Sequence, residues 1–169
     1  MVKLLGSALV AGGCAWLGFR RASELRERAR ALEQMAGGLA LLERELELGS
    51  PPLPRLLEGA AGRCAGPAAR LFSGCARALA RPDREDFSAL WREETARLES
   101  LGEEGREALA PLGEILGRYD CQAQRAGLAA VRGRLEELSG LVRADSRRRG
   151  RVYEALGLSG GAFLVILLL

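Results

Sequence analysis

The chain of 169 residues contains no histidine, so a histidine general base and a Ser-His-Asp triad are excluded, and a pair of carboxylates is the first candidate for acid–base chemistry. Glu43 and Glu47 are spaced one turn apart on a predicted helix, so their side chains would project from the same face. A carboxylate pair of this kind can act as a general acid and base. No basic or nucleophilic residue is predicted to converge with the pair, and the spacing is typical of a solvated helix face. We therefore predict no catalytic residues.

Motifs for nucleophilic, metal-binding and phosphate-binding chemistry are equally sparse. The four cysteines, Cys14, Cys64, Cys75 and Cys121, form no C-x-x-C pair of the kind that binds zinc or performs redox chemistry. We interpret them as small apolar core residues, kept reduced in a cytosolic body. Residues 117–120 lack the G-K-[ST] of a phosphate-binding loop. The sequence predicts a protein that is not an enzyme, with no metal, no cofactor and no small-molecule substrate.

The charge balance argues against nucleic acid as a partner. The chain has 25 basic and 22 acidic residues, for a net charge of +3, whereas nucleic-acid-binding arms carry blocks of like charge. Aromatic residues make up 5% of the chain, too few for a platform on which bases stack. The apolar residues are instead concentrated at the two ends, where residues 1–19 and 152–169 contain one charged residue each.

The N-terminal segment, residues 1–19, is predicted to form a transmembrane helix. As a helix it would span about 27 Å, close to the hydrocarbon core of a bilayer at about 30 Å. Trp16 and Phe19 are followed at once by two arginines, as an interfacial aromatic belt would be. A cleaved signal peptide is one alternative, although no A-x-A cleavage site follows the apolar run. A lipoprotein anchored at Cys14 is another.

The C-terminal segment, residues 152–169, is predicted to be a second transmembrane helix or to insert deeply into the bilayer. The alternative is a buried core helix, which the run disfavours because it offers no polar face. Gly157 and Gly161 have the spacing that lets membrane helices approach closely, and a ridge of small residues on the first segment could pack against them. The alternative for this pair is flexible glycine near the interface.

Arginines flank both apolar segments on the side of the intervening chain. Five lie within residues 20–30, opposite Lys3 alone, and five lie within residues 143–151, opposite none. Cytoplasmic flanks of membrane helices carry the excess of Lys and Arg. The sequence therefore predicts a cell-membrane protein whose body, residues 20–151, is cytoplasmic and whose two termini are outside.

Residues 20–151 are predicted to form an all-α helical bundle. Arg, Glu, Ala and Leu dominate, while β-branched residues are rare. Two apolar stripes with steps of three and four occupy residues 25–46 and 121–142, the second broken only at Arg125. They predict two long antiparallel helices that continue into the membrane segments. The predicted core includes Leu42, Leu46, Trp91, Leu116, Leu128, Leu135 and Leu138.

Short helices between the two long ones are predicted from residues that typically begin or end a helix. Gly49 and the prolines of residues 51–54 separate the first long helix from the next, and Gly66-Pro67 ends that one. Pro82-Asp83 opens a further helix, which Leu101-Gly102 closes.

The junction before the last long helix is the candidate for a special role. Leu116 and Gly117 end a short helix, Asp120 is predicted to cap the long one, and Gln124 lies one turn further on. One hypothesis gives this junction a purely structural role. The other makes it also part of a partner-binding surface.

Several short motifs follow one another along the chain. They are Leu42-Glu43-x-Glu45 leading to Gly49, Pro52 and Leu53; Trp91; Leu112-Gly113-x-x-Leu116-Gly117-x-x-Asp120-x-x-x-Gln124; and Leu156-Gly157. In this order and spacing they resemble the stage III sporulation protein AB family of endospore-forming bacteria. The resemblance covers the whole chain.

The resemblance implies a role in a mother-cell membrane complex that links mother cell and forespore and is needed for late forespore gene expression. It also implies a cytoplasmic region similar to the helical domain of type II secretion and type IV pilus platform proteins. The implied partners are a cytoplasmic ATPase, stage III sporulation protein AA, and other membrane proteins of the complex. The alternative is a generic membrane-tethered coiled-coil scaffold, which would not need the two Leu-Gly steps of residues 112–124.

Overall fold

The protein is all-helical wherever its structure is described. The computed structural model describes the backbone of residues 2–49, 51–81 and 86–168, and the side chains of residues 23–49, 51–81 and 86–148. Over these residues the regular elements are helices and no strand occurs, which confirms the all-α prediction. The elements are α1 (Val2–Gly49), α2 (Leu53–Ala61), α3 (Gly66–Leu79), α4 (Phe87–Ala96), a 3₁₀ turn (Glu99–Leu101), α5 (Gly102–Leu109), α6 (Leu112–Ile115) and α7 (Cys121–Leu168).

The chain divides into two units, one formed by residues 1–27 with 141–169 and the other by Arg28–Gly140. We call the second the central unit. In the part of the chain with described side chains, no helix is both long and apolar enough to cross a bilayer. Residues 1–19 and 152–169, the predicted membrane segments, lie outside that part. The membrane assignment and the domain boundaries stay predictions.

Within the central unit, α1 and α7 run antiparallel. Glu43 of α1 pairs with Arg132 of α7 at 3.5 Å, and Glu47, one turn further along α1, pairs with Arg125, two turns earlier in α7. The prediction that nothing basic converges with Glu43 and Glu47 is therefore wrong. Both carboxylates join the two long helices, and Arg125 interrupts the apolar stripe because it reaches Glu47.

The core of the central unit lies between the long helices and the short ones. Trp91 of α4 is fully buried, and its indole Nε1 donates a hydrogen bond of 2.9 Å to the carbonyl oxygen of Leu109. A buried Trp is stable when its N–H finds such an acceptor. All seven residues predicted for the core are buried: Leu42, Leu46, Trp91, Leu116, Leu128, Leu135 and Leu138.

The short helices differ in their ends from the prediction. The Oδ1 of Asp86 accepts a hydrogen bond of 3.1 Å from the Ser88 N–H and caps α4, which begins at Phe87. The start predicted at Pro82-Asp83 falls outside the described residues. Leu101-Gly102 does not close this helix as predicted, because α4 ends at Ala96; Gly102 instead ends the 3₁₀ turn and begins α5. Gly102 has a φ of +70°, which favours glycine, and a Cβ there would also displace the Arg28 guanidinium.

The cysteines are not all core residues. Cys75 of α3 is buried, and burial raises the pKa of its thiol to about 12, with a smaller contribution from the charge of Glu94. Cys64 lies in the link between α2 and α3 and is half-buried, as is Cys121 at the start of α7. The core interpretation is wrong for these two because both stand at helix ends, where packing covers only one side. Cys14 lies outside the residues with described side chains.

Candidate functional site

Residues 116–124 form the turn from α6 into α7, which we call the corner. Helix α6 ends at Ile115, and Leu116 is extended, with φ −68° and ψ 126°. The Leu116 side chain is buried, so the turn is anchored to the core at its first residue. The residues that follow it, 117–120, are exposed. The corner is therefore a surface turn with a buried attachment.

Gly117 is required at the corner for two reasons. Its φ of +79° lies in the left-handed region, which side chains with a Cβ disfavour. A Cβ there would also stand 3.1 Å from Cδ2 of Leu53, at the start of α2. The turn thus packs closely against the beginning of α2.

Asp120 and Gln124 hold the other end of the corner. The Oδ1 of Asp120 accepts a hydrogen bond of 2.7 Å from the backbone N–H of Ala123, so it caps α7. The side-chain Nε2 of Gln124 donates to the carbonyl oxygen of Tyr119 at 2.6 Å. Both side chains satisfy backbone groups of the turn, and together they fix the direction in which α7 starts.

The corner forms one wall of a surface cleft of about 180 Å³. The end of α1 and the start of α2 form the other walls. The lining residues are Leu46, Pro51, Leu53, Leu56, Gly117, Cys121 and Gln124. Two large apolar side chains on the adjoining segments are exposed, Leu48 at 74% and Tyr119 at 60%. The cleft is small, and most of its lining side chains are apolar.

Arg118 ties the corner to α4. It pairs with Glu114 at 2.9 Å and with Asp86, the cap of α4, at 3.2 Å. Hydrogen bonds from Ser88 and, more weakly, the charge of Arg118 lower the pKa of Asp86. The carboxylate of Asp86 is therefore charged at neutral pH, and it both accepts hydrogen bonds from Ser88 and pairs with Arg118.

The one carboxylate of the corner, Asp120, is occupied as a helix cap. Over the described part of the chain, no group of three or more Cys, Asp or Glu side chains is placed to hold a metal ion.

The structure brings four of the six predicted site residues together. Leu116, Gly117, Asp120 and Gln124 all belong to the corner, whereas the predicted membrane-packing pair, Gly157 and Gly161, lies outside the residues with described side chains. Sequence reasoning did not place Leu53, Tyr119 or Arg118 at this site. Leu53 belongs to the family motif, but its position beside Gly117 arises across the fold and could not be predicted from spacing. The exposed Tyr119 in a turn could have been noticed.

Comparison with known proteins decides the family. Residues 3–169 match the family model described as stage III sporulation protein AB. The chain belongs to the stage III sporulation protein AB family. This confirms the resemblance and assigns the protein a role in sporulation, with partners expected among other sporulation proteins.

A solved structure titled "Stage III sporulation protein AB" is similar in fold to this family member. The TM-score is 0.62 and the identity 23%, over 72% of this chain and 97% of that one. At this identity the similarity concerns the fold. Among curated proteins, none matches the chain.

Proposed function

We propose that the protein is a non-catalytic membrane platform of the secretion-like complex between mother cell and forespore, and that its central unit docks the cytoplasmic ATPase stage III sporulation protein AA. Family membership supports the place in sporulation. The platform role and the ATPase follow from the resemblance to secretion and pilus platform proteins. The observation that supports docking is the cleft beside the corner, together with two exposed large side chains, Leu48 near the end of α1 and Tyr119 in the corner.

The proposal places the protein in the mother-cell membrane that surrounds the forespore. Residues 1–19 and 152–169 would anchor it, with the body in the cytoplasm and both termini outside. The charge asymmetry of the flanking arginines supports this orientation. Gly157 and Gly161 would let the second anchor pack against the small-residue ridge of the first.

The corner is braced by its own side chains. Asp120 accepts from the Ala123 N–H, Gln124 donates to the Tyr119 carbonyl oxygen, and the buried Leu116 attaches the turn to the core. A preformed surface loses little conformational entropy on binding. The exposed aromatic ring of Tyr119 is the type of side chain that dominates protein interfaces. A simple coiled coil would not contain this turn or the core around Trp91.

The test is capture of the ATPase from sporulating cells with affinity-tagged full-length protein. We expect Tyr119→Ala to reduce the captured ATPase at least about fivefold, as loss of an aromatic anchor does. Leu141→Ala is the matched control because Leu141 is also 60% exposed, and it should leave capture unchanged. Equal capture by both variants and the wild type would count against docking at the corner. No capture by the wild type would count against the ATPase as partner.

A further inference from the structure

A second surface of the central unit, between α3 and α4, is rich in arginine. Two cavities of about 230 and 220 Å³ open between these helices, and both are lined by Arg77, Glu94 and Arg97. Arg81 lines the first and Arg70 the second. We call the two cavities together the arginine groove.

Both carboxylates of the groove bind the same arginine. Glu94 is 15% exposed and accepts from Nη1 of Arg97 at 2.6 Å, while Glu93 accepts from Nη2 of the same guanidinium at 2.8 Å. Gly74 of α3 makes room for this pair, because a Cβ there would overlap the Glu94 carboxylate. One arginine therefore serves both glutamates of the groove.

The other three arginines of the groove have no carboxylate partner within the part of the chain that the structure describes. Arg70, Arg77 and Arg81 are exposed, and Arg77 donates only to the backbone oxygen of Ser73 in its own helix, at 3.2 Å. Arg70 and Arg77 stand about 10 Å apart along α3. With four arginines and two glutamates, the groove has an excess of two positive charges.

We propose that the arginine groove binds a carboxylate-rich segment of a partner protein. A guanidinium presents paired N–H donors that match the two oxygens of a carboxylate. Cavities of this size accept single side chains. The excess of two positive charges among the described lining residues, at spacings that neighbouring acidic side chains can reach, suits two carboxylates.

Nucleic acid and membrane lipid fit the groove less well. Non-specific binding to nucleic acid rests on about 6–10 phosphate contacts, and single strands also need aromatic rings, which the groove lacks. Binding to anionic lipid uses clusters of about 4–8 uncompensated basic residues on an accessible face. The groove is concave, and half of its arginine charge is offset by Glu93 and Glu94.

The test measures binding of a fluorescein-labelled hexaglutamate peptide to the full-length protein in neutral detergent, by fluorescence anisotropy. We expect saturable binding that hexaglutamine does not show. The triple variant Arg70→Gln/Arg77→Gln/Arg81→Gln should raise the Kd at least about tenfold. The matched control is Arg44→Gln/Arg55→Gln/Arg92→Gln, which removes the same charge from exposed sites outside the groove and should raise the Kd less than about threefold.

Two further variants keep the test decisive if the triple variant folds poorly. Arg81 lies beyond the end of α3, so Arg81→Gln should not disturb the helix. This variant should raise the Kd about threefold. The triple Arg→Lys variant keeps the charge and should bind between the wild type and the glutamine variant, because lysine lacks the paired donors.

Three results would overturn the proposal. The first is no binding of hexaglutamate by the wild type. The second is equal weakening by the groove and control variants, since the peptide would then sense only net charge. The third is groove-dependent binding of an oligonucleotide or of anionic vesicles without binding of the peptide. None of these readouts involves the ATPase or the corner, so failure here is distinguishable from failure of the proposed function.

Discussion

At the scale of residues, the corner is determined by backbone requirements that particular side chains meet. Gly117 adopts a left-handed conformation, and Asp120 accepts the N–H that the first turn of α7 leaves free. These requirements are local, so the glycine and the cap could be predicted from spacing. The partners of Glu43 and Glu47 could not be predicted, because the arginines that pair with them come from α7, far along the chain.

Gly117→Ala should lower the free energy of unfolding by about 1 kcal/mol, because alanine resists the left-handed conformation. Gly133→Ala is the control, since Gly133 lies within α7, where an added Cβ would meet nothing within 4 Å, and should gain roughly 0.5–1 kcal/mol. Urea unfolding of both variants measures the difference. A Gly117→Ala variant as stable as the wild type would contradict the conformational argument.

Asp120→Asn separates the structural from the docking hypothesis for the corner. Asparagine caps helices about as well as aspartate, so stability should change little, whereas Asp120→Ala should cost about 1 kcal/mol. If the charge contributes to docking, Asp120→Asn folds normally but captures less ATPase. Normal folding with wild-type capture would show that the carboxylate serves only the turn.

At the scale of elements, the long helices were more predictable than the short ones. An apolar stripe that repeats over many turns predicts a buried face, and the stripe positions from Ala29 to Leu46 and from Leu128 to Val142 are buried. The ends of α4 and α5 depend instead on single contacts across the fold. A glycine such as Gly102 is typical of a helix end, yet α5 begins there, with Gly102 at a positive φ beside the Arg28 guanidinium.

Leu128→Ala or Leu135→Ala should each destabilise the fold by roughly 2–5 kcal/mol, because both side chains are fully buried and truncation leaves a cavity. Leu141→Ala, at a position that is 60% exposed, should cost less than about 0.5 kcal/mol. Thermal and urea unfolding measure both. Losses under about 0.5 kcal/mol for the two buried positions would be incompatible with the packing of α7 described here.

At the scale of the whole molecule, the all-α class and the family were accessible from the sequence, whereas the surfaces were not. Periodicity indicates which residues are buried, but a cleft or a groove arises from the way in which separate helices meet. The arginine groove needs α3 and α4 side by side, and the cleft needs the start of α2 against the corner. The proposed membrane topology rests on the excess of arginine on one side of each apolar segment.

When the protein is expressed in the plasma membrane of non-sporulating cells, an impermeant thiol reagent added to intact cells should leave Cys64, Cys75 and Cys121 unlabelled, since the proposed topology places all three in the cytoplasm. After permeabilisation, the half-buried Cys64 and Cys121 should react. Cys75 should stay protected at pH 8, because burial raises the pKa of its thiol to about 12 and the reactive thiolate does not form. Labelling of Cys64 or Cys121 in intact cells would reverse the topology.

The most direct measurement of the central claim is the affinity between the purified full-length protein in neutral detergent and the purified ATPase, stage III sporulation protein AA. The account predicts saturable binding that weakens at least about tenfold in Leu48→Ala/Tyr119→Ala. It also predicts an unchanged affinity for Leu141→Ala, which removes an exposed apolar side chain elsewhere. Absence of binding, or equal affinity for the double variant and the wild type, would contradict it.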